Sequence, residues 1–424
     1  MNERTDRHTL TPLLKTLFVG LAAAFSLLMV VYMLPTEPMQ QNASESIELY
    51  EYEEARPEWA HGIVSSRLDN WTDAIMIEEA IWNNPEDSLV DKVMLNPFFG
   101  VGYQDTPVKA LIAYLNRTDE NLVNKTTYPS YWHGYLLALK PLLLLFNIQE
   151  IRMINMMAQL LLACIVMVLM EKQLGWKWLI PFGVSYIILN PVSLIMSFQY
   201  SDIYYITVIS LIILLRRKEK PSITWLCCYF MAIGMATCYF DFLTYPVVSM
   251  GIPLGMYILL YHDSAKETVK KMVLFSILWC VGYAGFFALK WALAFLLTGE
   301  NVLADGAGEV AMRFSGTIGS GRVATTPWNA VKYNLANVAT KPNYVLVIVF
   351  AAFCLVRLLV KHDRFQVNKD VVIPLLFLSF YAFIWYVAIR NHSIIHASMT
   401  YRDLAVTAFA LPAIIISCLE TEER

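Results

Sequence analysis

A chain of 424 residues with 57% hydrophobic and only 16% charged side chains, its apolar residues gathered into separate blocks of membrane-spanning length, has the composition of a polytopic helical membrane protein and not of a soluble globule. A formal net charge of -3 leaves no basic footprint for nucleic acid. The seven cysteines all lie within or at the ends of apolar blocks, so no disulfide framework is expected. The expected fold is all-α, with about ten transmembrane helices, a short re-entrant or interfacial helix and a large first extracytoplasmic loop.

Residues 1–34 read as a cytoplasmic tail and first transmembrane helix. The run Leu13 to Leu34 is longer than a signal-peptide core and is followed by Pro35-Thr36-Glu37, not by small residues suited to cleavage. Residues 35–152 then form an extracytoplasmic loop with interfacial helices, and its aromatic content, Trp59, Trp71, Trp82 and Trp132 included, predicts folding against the membrane. Within it, Ser44 to Glu54 reads as a short acidic helix or linker. Trp71 to Trp82 carries Ala74, Ile77 and Ile81 at helical spacing, which predicts an amphipathic helix lying on the surface. The apolar run Trp132–Phe146 is short for a full crossing.

Residues 153–297 form a transmembrane bundle with spans near 153–170, 178–198, 203–215, 222–242, 246–261 and 272–297. Residues 298–341 form an extracytoplasmic Gly-rich loop. Residues 342–424 hold the C-terminal spans, near 342–360, 371–389 and 404–419, with a polar outer loop at 390–403. If 132–146 does not cross, then Lys172, Lys177, Arg216-Arg217-Lys218, Lys266, Lys270, Lys271 and Arg357 through Lys369 all become cytoplasmic, together with both termini. The same assignment gathers Asp202, Asp241, the loop 298–341 and the cluster 391–403 on the outer face, opposite the loop 35–131.

Several residues there suit chemistry. Asp69 and Asp73 flank the start of the Trp71–Trp82 helix; one can cap it, both cannot, and the other suits a general base whose pKa is raised by partial desolvation. Asp202 and Asp241 end apolar spans, where a carboxylate is costly unless paired or wet. Each is read either as part of an ion pair or as a group that binds an acceptor or a metal. Arg313 and Arg322 belong to the Gly-rich loop, which reads as a mobile lid or a flexible linker, with guanidinium groups matched to phosphate oxygens. His392 and His396 share a helical face, with Arg402 six residues on. A metal there would need a carboxylate from Asp73, Asp202 or Asp241, whereas a phosphate needs only the two histidines and Arg402. No cofactor is required, although the set leaves room for a divalent metal.

Three features together resemble the GT-C superfamily of integral membrane glycosyltransferases, which includes protein mannosyltransferases and aminoarabinose transferase. They are a first span followed by a large outer loop with the acidic pair Asp69 and Asp73, the stretch Tyr128-Pro-Ser-Tyr-Trp-His-Gly-Tyr135 leading into a short apolar helix and then Ile151-Arg-Met-Ile-Asn155, and Asn190-Pro191 with Asp202 after it. The likeness implies transfer of a sugar from a polyprenyl-phosphate carrier to an extracytoplasmic acceptor at a bacterial plasma membrane. It gives Asp73 or Asp69 the role of base, and His392, His396, Arg402, Arg313 and Arg322 that of holding the lipid phosphate. Its implied partners are a lipid-linked sugar donor, an extracytoplasmic acceptor and membrane lipids. The acidic pair lies about 35 residues beyond the first span, farther than is usual in that superfamily, and forms no adjacent doublet. A flippase for lipid-linked saccharide and a non-catalytic envelope assembly protein are the competing readings.

Overall fold

A computed structural model describes residues 3–100, 106–116, 125–318, 323–360 and 364–420. Among them, eight helices are long and apolar enough to cross a membrane: Leu10–Tyr32, Ile148–Leu174, Phe198–Leu215, Ile223–Phe240, Ala265–Thr298, Lys341–Leu359, Lys369–Ala388 and Ala397–Ser417. Strand is confined to three two-stranded pairings. The chain is thus an all-α protein of membrane type.

Two expected spans take other forms. The segment 178–198 is broken into Leu179–Ile188 and Pro191–Met196, because Asn190 adopts a left-handed conformation (φ 60°) ahead of Pro191, whose ring disfavours a helical residue before it. The segment 246–261 is the 15-residue helix Val247–Tyr261. The run 132–146 yields only Leu136–Leu143, about 12 Å of helix at 1.5 Å per residue.

The tightest helix crossing has a simple cause. Gly234 of Ile223–Phe240 and Gly282 of Ala265–Thr298 face one another's backbones: a Cβ on Gly234 would lie 2.1 Å from the Trp279 carbonyl oxygen, and one on Gly282 2.2 Å from that of Met231. Small residues let the backbones touch, as they do where membrane helices cross closely.

Interactions sort into two ends. At one, Asp263 pairs with Lys220 (2.6 Å) and Lys271 (2.5 Å), the Ala265 amide donates to Asp370, and the Gln366 amide donates to the Cys418 carbonyl. The first helix runs parallel to Ile223–Phe240, with the Tyr239 hydroxyl on the Ala24 carbonyl and Gly20 against Met235, so its start lies at this lysine-rich end. At the other end, the segment 35–131 packs onto the starts and ends of the same helices. Lys290 fastens it there: its buried ammonium donates to the Val93 and Met94 carbonyls and to Asn96 Oδ1 at 2.9–3.0 Å, closing the C-terminus of Leu89–Leu95.

The first loop is folded, as its aromatic content predicts, and contains the expected acidic helix as Ile47–Glu53. The helix Asn70–Ile81 also forms but is not a surface helix. Asp73, Ala74, Met76, Ile77, Glu78, Glu79 and Ala80 are all buried, because Pro107–Asn116 and Leu136–Leu143 pack over it. Its Glu79 is answered internally, by His133 Nδ1 at 2.8 Å and by the Tyr135 hydroxyl.

Candidate functional site

The acidic pair of the first loop caps two different helices. Asp69 is the N-cap of Asn70–Ile81, accepting from the Thr72 amide (3.4 Å) and hydroxyl (2.8 Å). Asp73 reaches across to the start of Phe198–Leu215, where its two oxygens accept from the amides of Phe198 (3.0 Å) and Gln199 (3.1 Å). Burial pushes the Asp73 carboxyl up to about 7, against the lowering effect of those amides. The raised pKa expected of a base is therefore present, but the oxygens are engaged in caps and the side chain is fully buried. Asp73 and Asp69 hold the loop to the bundle.

Arg402 has likewise been given a structural place. It is fully buried, with Nε on the Leu189 carbonyl (3.0 Å) and Nη1 on the Ser398 carbonyl (3.0 Å), and its guanidinium lies 4.0 Å from the Tyr200 ring centroid and 4.8 Å from that of Tyr401. It terminates the broken helix before Asn190, while its Nη2 is buried with no hydrogen-bond partner among the described residues.

Arg313 stands differently. The Gly-rich stretch is helical from Val302 to Phe314, so its first half is not a flexible linker; Gly306 is there because a Cβ would meet the Trp291 ring at 2.5 Å. Arg322 lies outside the described residues. The helix delivers Arg313 to His392, with Nη1 at 2.5 Å from Nδ1, and to Glu309 at 3.3 Å. The Nε2 of His392 donates to the Leu243 carbonyl (2.7 Å), which leaves Nδ1 as acceptor for the guanidinium. The imidazole is thus neutral, and burial, the neighbouring His396 and Arg313 all push its pKa down. His396 stacks on it with centroids 4.6 Å apart, as their four-residue spacing predicts, and is pushed down to about 4, chiefly by burial. Arg313 is the one formal cation of this group.

The His392 contact ties Arg313 to Asp241, two residues before Leu243. Asp241 accepts from the Thr244 amide and hydroxyl, and burial raises its carboxyl to about 7. Asp202 is the exception among the predicted carboxylates: Oδ2 is buried with no hydrogen-bond partner among the described residues. Its charged neighbours are Asp241 and Asp73, not a cation.

Below Arg313 opens a cavity of about 500 Å³ walled by Tyr131, Tyr283, Phe287, Trp291, Phe314 and Trp385, with Glu309 and Arg313 as its charged residues. Its aromatic upper wall, Tyr131 packed on Phe242 and Tyr128, comes from the stretch 128–135. In the sequence that stretch stands out as a dense run of aromatic side chains, a signal for this wall that the Asp, Arg and His candidates do not include. The buried Glu79–His133 pair gave no such signal, since its partners lie 54 positions apart in the chain. Among the described residues, no group of three or more His, Cys, Asp or Glu side chains is placed to hold a metal ion.

Fold and site together define a multi-pass, all-α membrane protein with an arginine-ended apolar cavity. Compared with protein-family models, with curated proteins and with solved structures, the chain matches none.

Proposed function

We propose that the protein is a membrane glycosyltransferase that takes a sugar from a polyprenyl-phosphate carrier. The observation that carries this reading is the aromatic, apolar cavity ending at Arg313. An isoprenoid chain fits its walls, and a phosphate fits a guanidinium held forward by a neutral imidazole. In the transfer, an acceptor hydroxyl attacks the anomeric carbon, the bond from that carbon to the phosphate oxygen breaks, and the electron pair leaves on the carrier phosphate. Arg313 stabilises the charge gathering on that phosphate. The acceptor proton passes to a carboxylate. With Asp73 and Asp69 engaged as caps, Asp202 takes the role of base, since its carboxylate lacks a partner. Asp241 is the electrostatic neighbour both of Asp202 and of the cavity tyrosines Tyr131 and Tyr283.

By the positive-inside rule we read the lysine- and arginine-rich end as cytoplasmic, with both termini inside and the site outside, where a flipped lipid-linked donor waits. In a cysteine-free background, Glu300→Cys is labelled by an impermeant maleimide on intact cells and Lys218→Cys only after permeabilisation. The reverse pattern inverts the orientation. Reconstituted wild type transfers label from a polyprenyl-phosphate sugar, and Arg313→Ala lowers turnover by roughly a hundredfold. Failure of every polyprenyl-phosphate sugar to serve as donor, or full turnover by Arg313→Ala, overturns the reading.

A further inference from the structure

A second cavity, of about 480 Å³, lies away from Arg313 between the helices Phe198–Leu215 and Ile223–Phe240. One wall is the stripe Asp202, Tyr205, Ile206, Ile209 and Ile213 of the first helix; the facing helix lines it with the small side chains Ala232 and Ala236. From Asp202 to Ile213 the groove follows eleven residues, about 16 Å of helix. Ile209 and Ile213 are half exposed on the flank that faces lipid. The shape is that of a slot for one hydrocarbon chain with a carboxylate at its head.

The three tyrosine hydroxyls of the slot are all engaged elsewhere. The Tyr135 hydroxyl donates to Glu79, the Tyr205 hydroxyl to Asn155 Oδ1 (2.7 Å) and the Tyr229 hydroxyl to the Ser210 carbonyl (2.8 Å). None turns to Asp202, whose Oδ2 is buried without a donor among the described residues. A carboxylate left alone within a membrane-spanning helix is costly and signals a missing partner. A partner that brings a hydroxyl, able both to donate and to accept, satisfies that oxygen, and the adjacent Asp241 and Asp73 disfavour a phosphate head.

We infer that this groove binds the acceptor, and that the acceptor is itself lipid-anchored: one hydrocarbon chain lies in the slot and a hydroxyl of its head group donates to Asp202. The inference rests on the glycosyltransferase reading and names the substrate class on its second side. Donor and acceptor then approach from separate cavities lined by opposite ends of the segment Tyr131–Tyr135, with Tyr131 in the donor wall and Tyr135 in the acceptor wall.

The test is equilibrium binding of two tritiated probes, a long-chain polyprenol and the corresponding polyprenyl phosphate, to the full-length protein in nanodiscs. Wild type binds both. Asp202→Leu weakens polyprenol binding at least tenfold and raises the thermal midpoint of the unliganded protein, because an unpaired carboxylate has been removed. Ala236→Phe, which fills the slot, lowers polyprenol binding at least tenfold. Both variants keep the polyprenyl phosphate affinity, which falls instead in Arg313→Ala. Polyprenol binding that survives both Asp202→Leu and Ala236→Phe, or that phospholipid displaces equally well, overturns the inference. Loss of donor-probe selectivity for Arg313 alone overturns the glycosyltransferase reading and leaves the groove result standing.

Discussion

Arg402 follows His392 and His396 closely in the chain, whereas Arg313 lies 79 positions before His392 and meets it only in the fold. What separates them is the company of aromatic rings: Tyr200 and Tyr401 enclose Arg402, whereas Arg313 reaches a cavity edge. The two aspartates of the first loop illustrate the same limit. That one of them caps its own helix was legible in the spacing, but that Asp73 caps Phe198–Leu215, 125 positions on, was not, because a cap across helices leaves no local pattern. At this scale the pH response is specific. His396 is held neutral, with its pKa moved from 6.5 to about 4. A histidine depressed in the folded state contributes stability that is fully present above pH 6.5 and is lost as pH falls through 4. At about 1.4 kcal/mol per unit, the shift corresponds to about 3 kcal/mol at most. His396→Gln, which cannot take up a proton, flattens the fall in thermal midpoint between pH 6.5 and 4; an unchanged slope assigns that fall elsewhere.

Among the elements, the long uniform apolar runs were read correctly because length and hydropathy alone decide them. Where a run contained a local contradiction, backbone chemistry or a packing partner settled the outcome. Asn190-Pro191 breaks 178–198, and Gly306 sits inside a helix because Trp291 needs the room. The helix Asn70–Ile81 forms with nearly the expected bounds but not on the surface, since Glu78 and Glu79 are buried along with its apolar residues. The Gly234–Gly282 contact offered no periodic signal, since neither glycine belongs to a repeated motif, yet it sets the closest approach of the two helices that pack most extensively. Gly282→Val forces the Met231 carbonyl away by more than a side-chain rotation can supply. The expected cost is about 2–3 kcal/mol of stability, read from thermal unfolding in detergent, with Gly285→Val as the control because its Cβ position is open. Equal effects of the two substitutions contradict the role of the crossing.

Over the whole molecule, the positive residues of the sequence anticipated which segments would meet. The end holding Lys220, Asp263 and Lys271 is distinct from the end where the first loop, Asp241, the helix Val302–Phe314 and His392 converge. Charge distribution reports sidedness because crossing the bilayer is costly for lysine and arginine, so it survives even where individual spans are misjudged. The two cavities were not legible, since their walls draw on segments far apart in the chain. Their division of labour is where the account is most exposed, and the affinity of Arg313 for a lipid phosphate decides it. Binding of tritiated polyprenyl phosphate to the purified protein is predicted to be saturable and to weaken roughly ten- to a hundredfold in Arg313→Ala, the loss of a charge-assisted contact. The same affinity in wild type and Arg313→Ala would contradict it.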